Sequence, residues 1–148
     1  MSEPRIIQNF IGSRALIAAE AGPAVAQLEA TLTKLGLTVA YAQVEAGAAC
    51  LDEAALAGEQ TVLFADADLN VTLEPAAQEL LAQVPVIGLI GVEAPSRLKA
   101  IMRLGATATL RKPVYGGSVY SALFVGVNAF RQRRALSLEI ADHERRRH

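Results

Sequence analysis

Three charged side chains stand where this chain could gather chemistry: Glu20, Asp66 and Lys112. Each lies just beyond a short, strand-like apolar run. In an open parallel sheet, charged groups and ligands meet beyond the carboxyl ends of the strands. Within the stretch Gly105 to Val114, Lys112 falls at the carboxyl end of a strand, and from there a lysine can reach across to a carboxylate. Pro113 after it sets the turn and can hold a cis bond. Asp66 and Asp68, two apart, invite an acid–base reading. No histidine or serine partner accompanies them, so an enzyme is not expected. Gly116-Gly117-Ser118 could offer backbone N–H groups to an anion, but a plain turn with Ser118 as helix cap explains it. His143 and His148 lie five apart on a charged tail with no ligand partners, and read as surface histidines rather than a metal site.

Positioning those groups takes five strands. Residues 3–13 form a lead-in with Ile6, Ile7, Phe10 and Ile11 on one side. Arg14 to Ala19 reads as the first strand. Pro23 opens a helix carrying Val25, Leu28, Leu32 and Leu35, which Gly36 stops. Thr38 to Val44 is the second strand, Ala49 to Leu56 a short helix, and Thr61 to Ala65 the third strand. Pro75 opens a helix with Ala77, Leu80 and Leu81 inward. Pro85 to Ile90 is an unbroken apolar fourth strand, as a sheet covered on both faces requires. Pro95 opens a helix with Leu98, Ile101 and Met102, closed by Gly105, and Thr107 to Leu110 is the fifth strand. Strands alternating with helices make a parallel α/β sheet, expected in the order 2-1-3-4-5.

The last helix is long. Val119, Leu123, Val127 and Phe130 suit packing on the sheet. Beyond Arg131 the apolar pattern thins to Ala135, Leu136, Leu138 and Ile140 between charges, as in a helix leaving the domain to begin a coiled coil. The divisions expected are a lead-in (1–13), a domain (14–130) and a basic helical extension (131–148) that stops inside its pattern. Six arginines in that extension face Glu139, Asp142 and Glu144, although the chain's net charge is −1. No aromatic residue lies among them, so a single-strand nucleic-acid platform is missing. The chain has 148 residues, 52% of them hydrophobic, enough for one packed domain. No apolar run reaches bilayer length. With no secretory pattern and Cys50 as the sole cysteine, a cytoplasmic protein without membrane contact is expected.

The span from about Arg14 to Phe130 resembles the receiver domain of bacterial response regulators. Gly105-Ala106 through Lys112-Pro113-Val114 follows that family's Gly-Ala-x-x-Tyr-Leu-x-Lys-Pro-Phe pattern. The resemblance implies a flavodoxin-like, doubly wound sheet with an extended C-terminal helix. It puts Asp66 at the phosphoacceptor position, Lys112 as the lysine that pairs with the phosphoryl group, and Glu20 with Asp66 as holders of magnesium. Three departures accompany it. Ala19 stands where the family has the first of two acids, Ile90-Gly91 where it has a Thr or Ser hydroxyl, and Thr109 where it has an aromatic switch residue. Loss of a carboxylate weakens a magnesium site, and Ile90 has no hydroxyl to offer a phosphoryl oxygen. An atypical, pseudo-receiver is therefore expected.

Within the family, the chain resembles the amide-operon antiterminator group, where a pseudo-receiver precedes a coiled coil and an RNA-binding ANTAR domain. Phe64-Ala65-Asp66, Val84 to Ile90, the lead-in and the basic final helix carry that likeness. It implies a non-enzymatic module with no required cofactor, which dimerises along the helix of Leu123, Val127, Phe130, Leu136 and Ile140 and docks a ligand-sensing regulator. RNA would be met only by a domain beyond His148. The alternatives are a working receiver that takes phosphate on Asp66 from a histidine kinase with magnesium, and a small-molecule sensor using the same sheet edge.

Overall fold

The computed structural model describes residues 5–146. Five parallel strands form the main sheet: β1 (Arg14–Ala18), β2 (Thr38–Tyr41), β5 (Thr61–Asp66), β7 (Val86–Ile90) and β8 (Ala106–Arg111). Their order is β2-β1-β5-β7-β8, which is the 2-1-3-4-5 arrangement once the main-sheet strands alone are counted. Five helices surround it: α1 (Pro23–Lys34), α2 (Glu53–Leu56), α3 (Pro75–Leu81), α4 (Pro95–Arg103) and α5 (Gly116–Arg146). Prolines open α1, α3 and α4, where a missing N–H costs nothing. Gly36 and Gly105, at φ +92° and +91°, follow α1 and α4 in the left-handed region that suits glycine.

Every residue of β5 and β7 is buried. Alternation along the strands divides their side chains between two cores. Ala15, Ile17, Val62, Phe64, Ile87 and Leu89 pack under α1 and α5. Leu16, Ala18, Leu63, Ala65 and Val86 pack under α2 and α3. Glycine permits two close approaches. A Cβ on Gly88 would lie 2.5 Å from Ile101 Cδ1 of α4, and one on Gly126 of α5 would meet Ile87 and Ala108 at 3.0 and 3.1 Å.

A second sheet corrects the sequence reading between Val44 and Leu73. Strands β3 (Val44–Glu45), β4 (Ala48–Leu51) and β6 (Asn70–Leu73) line up in the order β3-β4-β6. The second main strand stops at Tyr41, and Val44 crosses into this sheet. Ala48–Leu51 is strand rather than helix because it alternates: Ala49 and Leu51 are buried and Cys50 exposed. Ala46 and Gly47, both at positive φ, turn β3 into β4 in the manner of a two-residue hairpin. Helix α2 starts only at Glu53, where Asp52 caps it by accepting the Ala55 N–H at 2.8 Å.

The lead-in is irregular and does not bury all four of its apolar residues. Phe10 is buried and Ile7 half-buried, whereas Ile6 and Ile11 are exposed. Asn128 of α5 clamps it, taking the Ile7 N–H at 2.7 Å and giving a hydrogen bond to the Ile7 carbonyl at 2.9 Å. Of the apolar residues on α4, only Ile101 is buried, while Leu98 and Met102 are exposed. Ser118 is not the cap of α5: the helix already begins at Gly116, and the Ser118 N–H bonds to the Tyr115 carbonyl. Leu123, Val127 and Phe130 turn into the core, while Leu136, Leu138 and Ile140 are exposed. One helix runs through the expected boundary at residue 131. His148, Arg147 and the start of the lead-in lie outside the described residues. Among those described, no helix is long and apolar enough to cross a membrane.

Candidate functional site

Asp66 is the last residue of β5, and Lys112 follows the end of β8, so the parallel sheet aims both at one edge. The Lys112 N–H bonds to the Ile90 carbonyl at 2.9 Å, which extends the β7–β8 pairing and fixes the lysine's backbone. Its ammonium then reaches Asp66 Oδ2 at 2.8 Å and Asp68 Oδ2 at 3.4 Å. Gly91 makes room for that reach, since a Cβ there would lie 3.2 Å from both Lys112 Cε and Asp68 Oδ2. The Lys112–Pro113 peptide is cis. Asp66 Oδ1 accepts the Asp68 N–H at 2.9 Å, and Arg97, in the first turn of α4, pairs with Asp68 Oδ1.

Two carboxylates thus face two cations, and all four carboxylate oxygens are engaged. Burial works against the charge on Lys112, but hydrogen bonds and charge from Asp66 and Asp68 outweigh it and raise its pKa above the ordinary value. The Arg97 guanidinium holds the Asp68 carboxyl below its ordinary range. Partial burial opposes this, and Lys112 adds to it. Glu20 reaches the rim of the same concavity, of about 340 Å³, which Gly22, Pro23, Asp66, Asp68 and Lys112 also line. It is exposed and joins no ion pair among the described residues.

As arranged here, Asp66 and Asp68 have all their carboxylate oxygens engaged within the chain. Magnesium demands free hard oxygens in near-octahedral array, whereas Asp66 has both oxygens committed, one of them to an ammonium. No group of three or more His, Cys, Asp or Glu side chains able to hold a metal occurs among the described residues. Ile90 is buried against Ala67 and Ile101 with its side chain in apolar company. Thr109 is exposed on β8 and lines a shallow groove with Ile90, Arg111 and Ser118.

The structure therefore brings together Glu20, Asp66 and Lys112, and keeps Ile90 and Thr109 outside that cluster. The sequence reading missed Arg97 and the part played by Asp68. A signal existed for both. Asp68 lies two residues past a strand end, and Arg97 is in the first turn of the helix after the fourth strand, so both had to emerge at the same edge.

No protein-family model matches the sequence, and no curated protein matches it significantly. Solved structures do match in shape. The signal receiver domain of a modulated diguanylate cyclase from Desulfovibrio desulfuricans G20 superposes with a TM-score of 0.55 at 17% identity, over 80% of this chain and 96% of that one. A response regulator from Chloroflexus aurantiacus J-10-fl gives 0.53 at 20% identity, over 78% and 98%. The chemotaxis response regulator CheY4 of Vibrio cholerae gives 0.51 at 18%, over 76% and 96%. At these identities the likeness is one of architecture, and the strand order, the crossovers and the long last helix agree with it: this chain has the fold of a CheY-like response-regulator receiver domain.

Proposed function

We propose that this chain is a pseudo-receiver: a non-enzymatic, cytoplasmic signalling module switched by partner binding and dimerisation rather than by phosphorylation. The observation that carries the reading is the closed charge network at the sheet edge. Arg97 and Lys112 neutralise Asp68 and Asp66 from within the chain, which leaves Glu20 as the one acid of this concavity without an ion pair among the described residues. The apolar Ile90 and the non-aromatic Thr109 support it as well, since neither can relay a phosphoryl group's arrival. In this reading the body (14–130) docks a ligand-sensing regulator. The extension (131–148) pairs two copies and leads toward an RNA-binding segment, as in the antiterminator group.

The test is an NMR titration with magnesium and beryllofluoride, a phosphoryl mimic, on the wild type and on Asp66→Asn. The expected outcome is no displacement of resonances at the ends of β5 and β8 at millimolar magnesium. Shifts confined to the wild type would instead establish a live phosphoacceptor at Asp66 and overturn the proposal.

A further inference from the structure

A second site lies at the opposite end of the sheet. The amino end of β5, with Ser13 and Pro85 just before β1 and β7, floors a cavity of about 610 Å³, walled by the lead-in, the loop before β5, the end of α3 and the part of α5 that leaves the body. Its apolar wall is Phe10, Leu80, Val84 and Phe130. Its charged wall is Arg131 and Arg134, three apart and so on one face of α5. The wall is held in place, because Asn128, one turn earlier, clamps the lead-in through Ile7.

Two of the neutral polar groups here are satisfied internally. Thr61 Oγ1 donates to the Gly58 carbonyl at 3.2 Å, and Ser13 Oγ to Gln60. The arginines are not. Neither forms an ion pair among the described residues. Arg134 reaches only the Ala82 carbonyl, at 3.4 Å. Arg131 Nε is buried with no hydrogen-bond partner. A guanidinium stays charged at every working pH, and these two line the cavity with no carboxylate of the described residues paired to either. Glu59 also lines the cavity but is exposed and pairs with neither arginine.

We infer that this cavity binds a small organic anion, a carboxylate or phosphate ester on a compact apolar body. The anionic group meets Arg131 and Arg134 and the apolar body lies against Phe10, Leu80, Val84 and Phe130. Arginine presents a fork matched to either anion, and the volume is in the range of small-molecule sites. The site is independent of the acidic cluster, which lies at the other end of the strands. Ligand seated here would touch both the body and the root of the helical extension.

The test is an NMR titration of the full chain with four probes: benzoate, phenyl phosphate, neutral benzamide and inorganic phosphate. Saturable shifts at Ile7, Thr61, Gln83 and Arg131 are expected with benzoate, phenyl phosphate or both, and which of them binds tells carboxylate from phosphate ester. Benzamide and inorganic phosphate are expected to bind at least about tenfold more weakly. Arg131→Gln removes the response. Should that variant fail to fold, Arg134→Gln, at an exposed position, must weaken binding about threefold or more. The inference is overturned by an absence of saturable shifts at those amides. Benzamide or inorganic phosphate binding as well as the organic anions would overturn it too, as would unchanged affinity in the folded arginine variants.

Discussion

At the scale of single residues, the candidate site is governed by which cation neutralises which acid. Asp66 has little exposed surface, and pairing with Lys112 spares it the cost of burying a lone charge. Asp68 is more open and is held mainly by Arg97. Its folded-state pKa lies below the ordinary 3.8. Its contribution to stability is therefore present above about pH 4 and lost as pH falls through the depressed folded value. Because the pair is partly exposed, Asp68→Asn should cost under about 1 kcal/mol near neutrality. The gap between wild type and variant should close as pH falls below 3.8 through the depressed folded value, as read by urea midpoints. Lys112 behaves in the opposite sense. Its raised pKa gives stability that is complete below 10.5 and lost as pH rises through the folded value.

At the scale of elements, one close approach sets where α4 lies and hence where Arg97 sits. Gly88 leaves β7 bare under Ile101, with a virtual Cβ contact of 2.5 Å. Gly88→Ala should destabilise the fold by about 1–3 kcal/mol through overpacking, seen as a lower thermal midpoint. Trimming the opposing side chain in Gly88→Ala/Ile101→Val should recover part of that loss, since contacting residues couple. Full additivity of the two changes would show that the helix does not rest on this contact. The same scale explains the unread second sheet. Ala48–Leu51 is only four residues long, and its alternation becomes meaningful only once β6 lies beside it in parallel register. A short apolar run gives a weak periodicity, which is why it reads as helix in isolation.

At the scale of the whole molecule, α5 has two halves with different roles. Its first half buries Val119, Leu123, Val127 and Phe130, and its second carries Leu136, Leu138 and Ile140 in the open. Those three lie on the half that extends past the body, where the proposed pairing with a second copy would occur. Sedimentation of the chain should report a dimer, and Leu136→Glu with Ile140→Glu should return it to monomer while leaving the domain's near-ultraviolet signature intact. A monomeric wild type would remove dimerisation from the proposed switch.

Much of the architecture is legible in the amino-acid sequence alone. The apolar run from Pro85 to Ile90, the prolines that open three helices and the glycines that close two are local signals, and local sterics enforce them. Asp66 and Lys112 were legible for a related reason. Each ends a strand of a parallel sheet, and such strands all point the same way. What only the tertiary structure decided are distances between segments far apart in the chain. Lys112 reaches two acids rather than one, Arg97 arrives from α4, and Arg131, its Nε buried without an acceptor, shares a cavity with Phe10 and Leu80. Pattern along a chain fixes which face a residue turns to the core. Which partner waits there depends on how helices settle on the sheet, and that is set by packing across the whole fold.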